Sequence, residues 1–173
     1  AKEYSCIITH LEAALPFAEP PQAKALQYLI HYFRTGKPKD FRRYNIAWVK
    51  DAAVVDVAIG PIEVYDDPLG QKASFQGIAN FLDPRMAKMA ASLQDIGGYL
   101  EQNAPWASIY KKTKLTASAI RFVQDVIRAG KIGGVLHLIG ENLPNDPHLV
   151  KRYGSKSTII QNINPSMAAV ARV

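Results

Sequence analysis

The chain has 173 residues, 48% hydrophobic and 21% charged, with a net charge of +6, which is enough for one domain or two small lobes around a buried core. No run approaches the ~18 consecutive apolar residues of a membrane span, no signal peptide is expected at the start, and the single Cys6 excludes an internal disulfide framework, so a cytoplasmic home is the default. The basic residues are scattered as Arg42-Arg43, Lys111-Lys112-Lys114 and Lys151-Arg152 without interleaved aromatics, which reads as solvated surface charge and not as a nucleic-acid interface.

Tyr4, Ile7, Ile8, Leu11 and Leu15 recur at helical spacing and predict a helix over 4–17. Cys6, among Ile7, Ile8 and Leu11, is expected to be a small core residue. A second helix is expected from Pro21 to Thr35, with Ala25, Leu26, Leu29, Ile30 and Phe33 buried and Gly36 as its stop. A third runs from about Lys39 to Val49. The period then changes. Val55, Val57 and Ile59 alternate, predicting a strand over 54–65, and Asp66-Asp67-Pro68-Leu69-Gly70 has the chemistry of a turn. Residues 73–82 make the partner strand.

Asp83-Pro84 reads as an N-cap followed by proline at the first helical position, opening a helix to about Asn103. Residues 117–128 suit a helix or a strand. Val135 to Ile139 reads as a short strand, Asn145-Asp146-Pro147 opens a short helix to Tyr153, and a polar, then alanine-rich tail follows from Gly154. Helices, then a hairpin, then helix and strand make this an α+β chain. Three stretches are expected: 1–83 with helices and hairpin, 84–116 helical, and 117–173 with a strand, the Asn-Leu-Pro-Asn segment and the tail.

The four histidines, His10, His31, His137 and His148, include no pair four apart, so a His-Glu-x-x-His zinc helix is absent. A nucleophile elbow, a phosphate loop and a Cys-x-x-Cys are absent too. Two segments carry chemistry beyond a structural role. On a strand over 54–65, Glu63 and Tyr65 share a face, where a carboxylate and a phenol can bind an ammonium and a carbonyl oxygen together; a solvent-facing glutamate beside a turn is the plain alternative. In Gly140-Glu141-Asn142-Leu143-Pro144-Asn145-Asp146, a helix cap accounts for Asn145 or Asp146 but not for Asn142.

Together these segments resemble the dipeptidyl-peptidase III family, especially its bacterial-type members. The resemblance runs through Ala25–Gly36, Tyr44–Asp51, Ile62–Gly70, Asn142-Leu143-Pro144-Asn145 and Tyr153-Gly154-Ser155-Lys156-Ser157, in the family's order and spacing over nearly the whole chain. It implies a two-lobed zinc peptidase, one lobe with a small β-barrel core, that releases dipeptides from peptide N-termini. The chain would be the substrate-binding lobe, with 84–116 leading toward the second lobe. By resemblance, Glu63, Asn142 and Asn145 bind the substrate's α-ammonium, Tyr65 hydrogen-bonds near the scissile carbonyl, and the strand leading to Asn142 is an edge along which the peptide lies. Short peptides with a free N-terminus and the zinc-bearing lobe are the implied partners.

The family's His-Glu-Leu-Leu-Gly-His motif and its further zinc glutamate lie downstream, so the chain itself is expected to hold no metal or other cofactor and to be inactive alone, with zinc only in the parent. Gln76 replaces a family glutamate, and Pro61 stands where the family has glycine, which removes a backbone donor from a sheet strand. A non-catalytic peptide-binding module derived from the family and a structural remnant are the other readings. A longer reading frame carrying the zinc motif would favour the peptidase.

Overall fold

The computed structural model describes residues 2–111, 120–133 and 138–162. The chain divides into two compact units, residues 1–54 with 147–153, and residues 55–146 with 154–173.

The first unit is helical, with α1 Lys2–Ala14, α2 Pro20–Thr35, α3 Pro38–Lys50 and α6 Pro147–Tyr153. Proline opens α2, α3 and α6, where its missing N–H costs nothing. The core takes Ala25, Leu26, Leu29 and Ile30 as a stripe of period 3.6 from α2, Tyr44 and Trp48 one turn apart on α3, and Leu11 and Leu149 from α1 and α6. Tyr4, Phe33, Tyr32, Phe41 and Tyr44 form a chain of ring contacts 4.9–5.7 Å apart. The buried Asp40 is held by the Thr35 hydroxyl, Arg43 and His31. Cys6 is exposed, contrary to the expectation of a core residue, because α1 buries only Leu11. His10 and His31 are also at the surface.

The second unit is a five-stranded mixed sheet in the order β1-β2-β3-β5-β4, with β1 Val55–Glu63, β2 Ser74–Leu82, β3 Ile120–Gly130, β4 Gly140–Leu143 and β5 Lys156–Ile160. Only β3 and β5 are parallel; the other pairs are antiparallel. The ambiguous stretch is therefore strand over its described residues, and β5 lies in the polar tail that follows Gly154. Residues 135–137 of the strand expected at 135–139 lie outside the described residues, and the strand here begins at Gly140. The helix expected over 84–103 is two, α4 Pro84–Asp95 and α5 Gly97–Gln102, parted at Ile96 before Gly97-Gly98. The Asp83 cap is as expected, its carboxylate accepting the Arg85 N–H at 2.9 Å. Pro61 is accommodated because β1 is an edge strand with a bulge between Pro61 and Glu63.

Register places Asp56, Ala58 and Gly60 of β1, Gln76, Ile78 and Asn80 of β2, Asp125, Arg128 and Gly130 of β3, and Glu141 and Leu143 of β4 on one face. That face curls inward. In a flat sheet β1 and β5 are three spacings, ~14 Å, apart, yet Lys156 Nζ lies 2.8 Å from Asp56 Oδ2. Asn145, two residues past β4, donates to the Ile62 carbonyl of β1 at 3.0 Å. The two sheet edges therefore meet, which is a barrel-like closure.

Two glycines with nearly the same backbone distinguish conformation from packing. Gly36 (φ 66°) caps α2 with open space where a Cβ would stand, whereas at Gly130 (φ 69°) a Cβ would sit 2.3 Å from the Phe75 carbonyl oxygen. Gly36→Ala should cost about 1 kcal/mol, the left-handed penalty alone. Gly130→Ala should cost more, because the β2–β3 pairing must also shift. Thermal denaturation followed by circular dichroism compares them, and equal losses would contradict the close approach at Gly130.

Candidate functional site

The inner face of the curled sheet ends in a cluster of carboxyl and amide groups drawn from strands far apart in sequence. Glu63 closes β1 and is 4% exposed. The bulge after Pro61 pairs it with Ser74, so it stands on the side of Gln76, two residues further along β2. Tyr65 lies beyond the strand end and is itself exposed, so the strand-face argument that joined it to Glu63 does not apply. The two still meet: a hydrogen bond to the Glu63 carboxylate, with partial burial and the Glu63 charge, pushes the Tyr65 phenol up to about 12.

Glu141 enters from the opposite edge of the sheet. Its Oε1 lies 3.5 Å from Gln76 Nε2, although a flat sheet would set β2 and β4 three strands apart. Burial, then the charges of Glu63 and Asp125, push its carboxyl up to about 7, with Arg128 acting in the other direction. Gln76 is fully buried, and its Oε1 has no hydrogen-bond partner among the described residues. Burying such an acceptor unmet is costly.

The loop 66–73 is built on two aspartates. Asp67 accepts the N–H groups of Leu69, Gln71 and Lys72 at 3.0, 2.8 and 2.8 Å, bonds that hold its carboxyl below the usual range. Asp66 accepts from Lys131 and from the Ser74 hydroxyl, which lower its carboxyl as well. Lys131 Nζ also stands 4.7 Å from the centre of the Tyr65 ring. The loop is thereby tied to the end of β3, and Tyr65 is held beside Glu63.

Of the residues singled out from the sequence, Glu63 and Tyr65 are in contact, and Asn145 is fixed to Ile62, the residue before Glu63. The Leu143–Pro144 peptide between the two asparagines is cis. Asn142 is not brought to Glu63 by its side chain. It stands on the outward face of β4, where its Oδ1 accepts the Ser157 hydroxyl at 3.0 Å. Two residues not expected to take part, Glu141 and Lys131, join the cluster. Glu141 was legible only through the exact bounds of β4, since strand parity places it inward. Among the described residues no three His, Cys, Asp or Glu side chains form a group able to hold a metal ion.

Residues 1–172 match the family described as Peptidase family M49. The dipeptidyl-peptidase III structure from Caldithrix abyssi superimposes with a TM-score of 0.76 at 31% identity, covering 90% of this chain and 30% of that one. Nudix hydrolase 3 of Arabidopsis thaliana is 34% identical over 128 residues, 72% of this chain and 16% of that protein. Dipeptidyl peptidase 3 of Nematostella vectensis is 27% identical over 169 residues, 96% of this chain and 23% of that protein. The chain thus spans less than a third of each of these relatives, and it belongs to peptidase family M49.

Proposed function

We propose that this chain holds the amino end of a peptide substrate for a dipeptidyl-peptidase III-type zinc peptidase. The observation that supports this most directly is Glu63. It is a buried carboxylate that bonds a neutral phenol, and among the described residues no cation is paired with it. Burying a carboxylate is expensive unless a positive group meets it. A peptide's α-ammonium supplies that charge together with three donors.

In this reading Glu63 takes the charge. Asn145, whose Nδ2 is committed to Ile62, presents its amide oxygen to a second donor. Asn142, whose side chain faces outward, contributes only through the backbone of β4, an edge strand along which a peptide backbone can lie. Tyr65 directs its phenol toward the scissile carbonyl. Fixing the amino end sets how many residues reach the metal, so dipeptide release becomes a matter of distance. The described residues do not fit a zinc site, and no step of bond cleavage is assigned to this chain. Zinc, its ligands and the activated water belong to the remainder of a parent protein. That zinc-bearing lobe and short peptides with a free N-terminus are the partners, in the cytoplasm, with neither nucleic acid nor membrane involved.

A short peptide with a free amino end should therefore bind the chain at about 1 mM, some −4 kcal/mol, with amide shifts centred on Glu63 and Asn145 by NMR. N-acetylation removes the charge and two donors and should abolish binding, and Glu63→Gln should weaken it at least ~10-fold. Equal shifts with free and acetylated peptide would refute the amino-end pocket.

The chain alone should release only background product from a dipeptidyl naphthylamide, and should retain no stoichiometric zinc after dialysis. Activity that survives repurification and disappears with Glu63→Gln would contradict the assignment of the metal to the rest of the parent.

A further inference from the structure

Three features stand outside the proposed function. The first is a cleft of about 320 Å³ in the helical unit, lined by Pro21, Lys24, Tyr28, Arg43, Ile46, Ala47 and Lys50. The second is an apolar stretch on the outer face of the sheet that includes Phe81 and Ile127. The third is Glu141, and only Glu141 stands in a cluster that itself asks for a particular ligand.

A cation is the natural occupant here. Glu63 and Glu141 arrive from opposite edges of the sheet, and burial, then the Glu63 charge, raises the cost of ionising Glu141. Gln76, on the same face two residues along β2 from the partner of Glu63, is fully buried, with its Nε2 on Glu141 and its Oε1 without a partner among the described residues. Such an acceptor, in a cluster that also holds Glu63 and Glu141, calls for a donor carrying positive charge. The other groups facing Glu141 do not supply one. Asp125 and Arg128 of β3 are ion-paired to each other, Lys131 is committed to Asp66, the Tyr65 phenol is neutral, and the Thr158 hydroxyl of β5 bonds the Glu141 carbonyl at 3.5 Å.

We propose that Glu141 is a second carboxylate of the amino-end pocket, joining Glu63, Asn145 and the Gln76 amide oxygen among the acceptors around a primary ammonium. The assignment rests on the amino-end reading above and adds a consequence to it. In the empty pocket the Glu141 carboxyl, pushed up by burial and then by the Glu63 and Asp125 charges, holds a proton up to about neutral pH. An arriving ammonium favours the ionised form of Glu141, so the proton leaves to solvent as the peptide binds. Affinity therefore rises as pH increases through the Glu141 midpoint of about 7, and falls again once the peptide amine deprotonates at about 7.7–8.0. Linkage gives about a fivefold gain in affinity between about pH 6 and about pH 7.5.

The test uses the 173-residue chain with tetra-alanine and its N-acetyl form, titrated by NMR at both pH values. The wild-type chain should show the gain. Glu141→Gln should bind at pH 7.5 about as weakly as the wild type does at pH 6, with no rise between them. Moving the charge across the contact, in the double variant Gln76→Glu with Glu141→Gln, should restore most of the affinity. A measurement without substitution guards against misfolding: the Glu141 carboxyl resonance should titrate at about 7 in the empty chain, and at least ~1 unit lower with saturating peptide. An unchanged midpoint, or an unaltered pH slope in Glu141→Gln, would overturn this assignment while leaving the amino-end reading intact. Failure to distinguish free from acetylated peptide would overturn that reading, and Glu141's role with it.

Discussion

Lys156 and Asp56 form an ion pair at 2.8 Å although β2 and β3 lie between their strands in the sheet. Both are almost completely buried, and Arg121 reaches the same carboxylate at 3.8 Å. Removing one member of such a pair costs about 3–5 kcal/mol, because the survivor is left charged in a poor solvent. The pair therefore ties curvature to stability. If the sheet flattened, the partners would separate and their attraction would be lost. The amide of Asn145 on the Ile62 carbonyl does the same at the other end of the two edges, with a neutral donor.

The cluster at Glu63 exists because of that closure. Glu63 and Glu141 sit 78 positions apart in sequence and on opposite edges of the sheet; only the curl makes them neighbours. The Glu141 carboxyl is raised first by its burial and then by the charges of Glu63 and Asp125. A fold that keeps this arrangement on its inner face stores a preference for cations, which an ammonium ligand can release. The same logic bears on Tyr65. Its phenol occupies Glu63 as a neutral donor, and Lys131 and Asp66 position the ring from the loop side.

Much of this architecture could be read from the residues, and what could not has physical causes. Proline and glycine marked α2 to within a residue, because Pro21 and Gly36 act through the local backbone alone. The Asp67 turn and the Asp83 cap were legible for the same reason. Cys6 was misread because a helical stripe shows which face can be buried, not whether anything covers it. The strand β5 was missed because Lys156-Ser157-Thr158-Ile159-Ile160 is short and gains its place by pairing in parallel with β3, more than thirty residues earlier. Such a pairing leaves little local trace. At the site, Glu63 and Asn145 followed from the family resemblance, whereas Glu141 needed the register of the sheet.

That register decides the chemistry of the pocket. Glu141 pairs with Thr158 and Asn142 with Ser157, so one residue of β4 faces inward and the next outward. A slip by one position would exchange them, putting an amide beside Glu63 and a carboxylate at the surface. The pocket would then lose a charge without any change in sequence. Two interactions oppose the slip. The Ser157 hydroxyl holds Asn142 on the outer face at 3.0 Å, and Leu143, buried opposite Lys156, would have to leave the interior. The serine and the leucine thus act on the pocket without touching its ligand, by fixing which of two adjacent polar side chains meets Glu63.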